Sequence, residues 1–319
     1  MLRRRFLLAP VVAAAGPFVL RGATLSMKER VNRAMTAQDL DRPPFSLWHH
    51  FGLKTAEAHA ARTLEFHNTY RTDIVKVMSD FPYPAVTSGR WYQLKVESNP
   101  YPDQIHALEL IRDGIRGTAY IIETVFNAWN VAQKLSSKEE VLRLKQENPQ
   151  ALVDALDAIN RSLIEHARKA LSSGASGILF SVANANAAEL SLPDYERFSR
   201  PFDKRFLDAI ANAKLNILHL HVEPPYLARF KDFKVPILNY SRVVSGISIA
   251  DARQEFPTWV IAGGIDEVNY RKLTVQDLQR QWRSAALEAG RTFILTPGCS
   301  VPNDCTPEEL ERLAKAVGA

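Results

Sequence analysis

Cysteine is scarce: two in 319 residues, Cys299 and Cys305, both in one C-terminal stretch, which excludes a disulfide scaffold. Past the first two dozen residues there is no repeat, no low-complexity tract and no Gly/Ser-rich linker to divide the chain. No strand candidate is followed by Gly-x-Gly-x-x-Gly or a P-loop, which counts against a nucleotide fold. Acidic residues are missing from the N-terminus, and this explains the basic charge. Arg3, Arg4, Arg5 and Arg21 supply four of the five formal positive charges, leaving +1 for the rest. No basic patch remains to argue for a nucleic-acid partner.

What stands at the N-terminus is a targeting pattern. Arg3-Arg4-Arg5-Phe6-Leu7-Leu8 precedes an apolar run over 7–20 and the exit Arg21-Gly22-Ala23. A basic head, an apolar stretch and small residues make a secretory signal, and paired arginines before Phe-Leu fit the twin-arginine kind. Pro10, Gly16 and Pro17 interrupt the run, which is too short for a membrane span. The reading is a signal segment over 1–23 and an exported, periplasmic protein, with no membrane span in the mature chain. If Met27 were the true initiator, the protein would be cytoplasmic.

With 46% hydrophobic residues the chain can bury a large core. Apolar, β-branched runs at 45–49, 74–79, 118–124, 177–183, 216–222, 235–241, 258–263 and 292–296 predict strands. Helical patterns fall at 56–70, 149–172, 194–212, 274–289 and 307–317, the last with Thr306 as N-cap and Glu309 in capping-box position. Eight strand–helix units over about 290 residues predict an α/β protein, a single-domain (β/α)₈ TIM barrel spanning 27–319.

In such a barrel chemistry gathers at the C-terminal ends of the strands. Those ends read His49 and His50, Asp80, Glu123, Asn184 and Asn186, His219 and His221, Tyr240 and Arg242, Asp266, then Cys299. In Asn-Ile-Leu-His-Leu-His-Val, His219 and His221 alternate onto one face of a strand. Two imidazoles and a thiol give three metal ligands with a fourth position open, the pattern of a catalytic rather than a structural zinc site. The competing reading is two core histidines and an unrelated loop cysteine. For the asparagines a turn role competes with ligand contact. His49 and His50 are neighbours, so one enters the barrel while the other packs outward.

With these ends laid out, the chain from about Met27 onward resembles the uroporphyrinogen decarboxylase superfamily, which includes the cobalamin-linked methyltransferases. The residues carrying the resemblance are Met27-Lys-Glu-Arg-Val-Asn-Arg-Ala-Met, Asp41-Arg-Pro-Pro, Ile74-Val-Lys-Val-Met-Ser-Asp80 and Gly174-Ala-Ser-Gly-Ile-Leu-Phe. Leu192-Pro-Asp-Tyr-Glu-Arg-Phe-Ser-Arg-Pro201, Gly263-Gly-Ile-Asp266 and Leu295-Thr-Pro-Gly-Cys299 complete it. Asp80 matches the decarboxylase's key aspartate. The decarboxylase's carboxylate-holding arginines are missing, since the matching stretch reads Ser46-Leu-Trp-His-His-Phe-Gly-Leu-Lys54. A substrate with eight carboxylates would lose its bidentate partners. The decarboxylase also has a histidine where Cys299 stands. In the methyltransferases His-x-Cys and a final Pro-Gly-Cys bind zinc; His219, His221 and Cys299 resemble that set, with His221 replacing the first cysteine.

The first functional reading is therefore a zinc-dependent methyl- or alkyl-transferase acting on a small thiol or a corrinoid-linked substrate. Asp80 would serve as general acid or base, with His49, His50, Glu123, Asn184, Asn186, Tyr240, Arg242 and Asp266 around the substrate. Any corrinoid would come on a separate protein, because nothing in the chain looks like a corrinoid domain. The alternatives are a metal-independent decarboxylase of a carboxylated pyrrole and an exported, non-catalytic binding barrel.

Overall fold

A computed structural model of the chain describes residues 24–86, 89–221 and 224–318; the expected signal segment lies outside them. Seven parallel strands run in chain order around a curled sheet: β1 (Ile74–Val77), β2 (Tyr120–Phe126), β3 (Gly177–Val182), β4 (Ile217–Leu220), β5 (Ile237–Tyr240), β6 (Val260–Ile265) and β7 (Phe293–Pro297). Helices cover the outside, as an all-parallel sheet requires. The architecture is TIM-barrel-like. Among the described residues no helix is long and apolar enough to cross a membrane.

The eighth expected strand, 45–49, is not formed as a strand. Phe45 makes a single parallel bridge to Leu295 of β7, and its carbonyl accepts from the Asp73 amide just before β1. The segment thus stands between the two ends of the sheet. Proline explains why it goes no further: Pro43 and Pro44 bring no N–H to a ladder, and the Phe45 amide donates to the Asp73 carboxylate instead. The helix expected over 194–212 is also split, into Leu192–Phe198 and Arg200–Ala209. Pro201 cannot continue a helix from the preceding turn but fits the first turn of a new one. Other expectations match. Helices form over Ala56–Tyr70 and Pro149–Ser172, and Thr306 and Glu309 cap the last helix reciprocally.

Strand alternation divides the barrel interior into storeys. The lower storey is apolar and includes Ile74, Ile122, Leu179, Ile217, Ile237, Val260 and Ile294, closed from below by Val31 and Ala34 of the helix Met27–Met35. Beneath it lies a buried ion cluster: Arg30 pairs with Asp41 at 2.7 Å and Asp73 at 2.5 Å, and Arg42 also reaches Asp73 at 2.5 Å. One step towards the C-terminal ends, the same inward face becomes polar. Lys76, Thr124, Ser181, His219, Asn239 and Thr296 point inward there. This change of character from floor to mouth places the site.

Candidate metal centre

His219, His221 and Cys299 converge at the mouth, with one ligand atom from each lying within 4.8 Å of the others. His219 is buried and meets the edge of Trp48, their ring centroids 6.0 Å apart. His221 stands at the rim, where Nδ1 lies 3.0 Å from Sγ of Cys299. Its outer edge is open, but crowding by protein still lowers its pKa against the opposing charge of Glu267. Burial pushes the Cys299 thiol up, yet the hydrogen bond and charge of His219 and the Ser300 amide outweigh it and hold the thiol below its ordinary value. Both cysteines are free.

Two supports fix this triad. Asn239 on β5 sits beside His219 in register, and its side-chain oxygen accepts from Nδ1 of His219. The direction of that bond follows from the other end of the amide, whose NH₂ faces the oxygens of Ala262, Thr296 and Pro297. His219 therefore carries its proton on Nδ1 and keeps Nε2 free as a ligand. The second support holds Cys299. A Cβ on Gly298 would lie 2.4 Å from Cα of Ser241 and 2.9 Å from the Tyr240 oxygen, so only glycine lets the chain leaving β7 pass so close to the end of β5. The Gly298 amide donates to Glu267, whose carboxyl burial pushes up. Two nitrogens, a sulfur, an open side and a tautomer-fixing amide make a donor set that fits zinc.

Two cavities meet at the triad. An inner one of about 120 Å³ is lined by Trp48, His50, Lys76, Ser181, His219 and Cys299 among others. An outer one of about 290 Å³ takes in Asn186, Glu189, Ser241, Val244, His221 and Cys299. His50 faces the inner cavity, while His49 packs among Phe51 and Phe66. Asp80 reaches the cavity only through His50, Oδ1 lying 2.7 Å from His50 Nδ1. Burial raises the Asp80 carboxyl, but the bond and charge of His50, the charge of His59 and the Gly52 amide bring it below its ordinary value.

The other residues named from the sequence are placed elsewhere. Glu123 alternates outward from β2 and is buried among helices, bonded to His166 at 3.3 Å and Gln104 at 3.2 Å. Asn184 accepts from Asn127 in a buried network with Asp203. Asn186 lines the outer cavity while holding the turn at Ala188 and Glu189. Tyr240 points outward and donates to the Ser248 oxygen. Arg242 is exposed at the start of a four-residue helix. Asp266 caps a turn through the amides of Val268 and Asn269. Sequence reasoning missed Asn239 and Lys76, whose inward direction shows only in the register of the neighbouring strands.

The uroporphyrinogen decarboxylase (URO-D) family model matches residues 74–319. No functionally curated protein is close enough in sequence to match. Among solved structures, the chain superposes on a methyltransferase from Methanosarcina mazei with a TM-score of 0.70 at 16% identity, covering 92% of this chain and 98% of that one. A B12-independent methionine synthase from Shewanella sp. W3-18-1 gives 0.60 at 12% identity over 87% and 91%. A putative synthase of the same kind from Listeria monocytogenes gives 0.56 at 7% over 82% and 85%. At these identities the likeness is one of fold.

Proposed function

The chain belongs to the uroporphyrinogen decarboxylase (URO-D) family, and from that premise we propose that it is a zinc-dependent methyl- or alkyl-transferase acting on a small thiol. The observation that carries the reading is the convergence of His219, His221 and Cys299 between two cavities. Zinc held there would keep a bound thiol deprotonated at neutral pH. The chain's own residues do the rest. Asn239 presets the His219 tautomer, and Gly298 with Glu267 places Cys299. His50, steadied by Asp80, is the side chain positioned to take or give a proton inside the inner cavity. The outer cavity is the side from which an alkyl donor, a corrinoid on a separate protein included, would approach.

Size and charge weigh against uroporphyrinogen as substrate. The inner cavity is smaller than the roughly 300 Å³ at which drug-sized ligand pockets begin, and among the described residues Lys76 is the only lysine or arginine that lines it. Full-length protein purified without chelator should carry about one zinc per chain. Cys299→Ala should abolish that zinc and Cys305→Ala should leave it. Zinc-free protein with an intact fold would end this reading in favour of decarboxylation or ligand binding. Export through the twin-arginine pattern at Arg3–Arg5 remains part of the proposal.

A further inference from the structure

Lys76 is the third residue of β1 and shares the inward face with Ile74 and Met78. Its exposure is 9%. The ammonium donates to the Met78 sulfur at 2.8 Å and stands 5.4 Å from the centre of the Trp48 ring. A thioether is a weak acceptor, so most of the three donors on this nitrogen meet no oxygen. Among the described residues it forms no ion pair, although Arg30 and Arg42 on the floor of the same barrel are fully paired. A buried ammonium without a counter-charge is costly. Burial draws its pKa down to about 8, while Cys299, Asp80 and Glu123 pull the other way.

This cation lines the same inner cavity as His219, His221 and Cys299. The outer cavity, by contrast, is lined by Glu189, which pairs with Lys138 at 2.8 Å, and among the described residues no lysine or arginine lines it. An unpaired positive charge therefore faces the inner cavity and none faces the outer one among the described residues. We propose that Lys76 is the anion-recognising residue of the inner cavity, and that the thiol accepted there is a short carboxylic acid whose carboxylate replaces the missing counter-ion. Its sulfur would sit at the triad and its carboxylate at Nζ of Lys76. The thiol half rests on the zinc reading above; the carboxylate half does not.

The test separates the two. With zinc-loaded full-length protein, calorimetric titration compares 3-mercaptopropionate with the neutral 2-mercaptoethanol. Wild type should prefer the acid by about 30-fold, the scale of one hydrogen bond to a charged group. Lys76→Met should erase that preference while leaving zinc content and mercaptoethanol affinity unchanged; Lys76→Gln serves if the methionine variant does not fold. With metal-free protein, butyrate binding followed by saturation-transfer NMR should be present in wild type and lost in the variant. Absence of zinc with Lys76-dependent butyrate binding would overturn the metal reading alone. Equal preference in wild type and variant, no binding of butyrate, or a preference for the neutral thiol would overturn the role of Lys76.

Discussion

Asn239 offers the sharpest dissection of the centre, because its amide does two separable jobs. Its oxygen orients His219, and its NH₂ ties β5 to Ala262 and to the β7 residues Thr296 and Pro297, two positions before Cys299. Asn239→Leu removes both. Loss of such a support beside a ligating histidine costs about 10- to 100-fold in metal affinity, or about 1.4–2.8 kcal/mol. Buried acceptors left without a donor should cost about 1–3 kcal/mol of stability in addition. Asn239→Asp separates the effects. The carboxylate still accepts from His219, so zinc affinity should stay within about threefold of wild type, since carboxylates serve this role well. Its second oxygen, however, faces three oxygens, and thermal stability should fall as far as in the leucine variant or further. The assay is zinc competition against a chromophoric chelator, paired with thermal melts of the metal-free proteins. Wild-type zinc affinity in Asn239→Leu would refute the reasoning, because His219 would then need no fixed tautomer.

Asp80→Asn should lower turnover of a thiol acceptor by about a hundredfold with little change in thermal midpoint, since its carboxylate steadies His50 at 2.7 Å; a large stability loss with activity per folded molecule intact would make it structural. Asp41 is held down to about 2, burial raising it but the Arg30 hydrogen bond and the Leu25 amide overcoming that. A depressed carboxylate contributes stability above its unfolded pKa of about 4 and loses it as pH falls towards 2, here about 2 kcal/mol. Urea midpoints at pH 5 and pH 3 should therefore converge more in Asp41→Asn than in wild type, and an unchanged gap would count against the pairing with Arg30. Arg3→Lys with Arg4→Lys should trap precursor in the cytoplasm, and unchanged fractionation would end the export proposal.

Much of the fold was legible because a parallel barrel writes buried strands as short apolar runs. Every strand of the sheet falls largely within a run read from the sequence, and the failure at 45–49 lay in Pro43 and Pro44, which permit an extended path but no ladder. The triad was legible because His219 and His221 are two apart, so one strand face must carry both. Glu123 and Tyr240 show the limit. Each sits in or at the end of a strand, yet parity turns it into the helix layer, and parity needs the register of neighbouring strands. Lys76 was hidden for the converse reason. A lysine between valines reads as a solvent-facing position, and only a sheet buried on both faces makes it an interior charge. Asn239 carries no signal in Ile-Leu-Asn-Tyr until His219 stands beside it.

The bridge between Phe45 and Leu295 joins positions separated by more than three quarters of the chain. Until β7 has been made, the Ser46 amide has no Leu295 oxygen to meet and the Pro44 oxygen no Leu295 amide. A ribosome releasing this chain would therefore hold an open sheet almost to the end, with two unpaired edges exposed. Contacts of such long separation also form late, since loop closure must come before they repay it. Cys299 lies just beyond that last strand. The seam that finishes the fold and the residue that finishes the centre consequently arrive together, so a truncated or stalled chain would present neither.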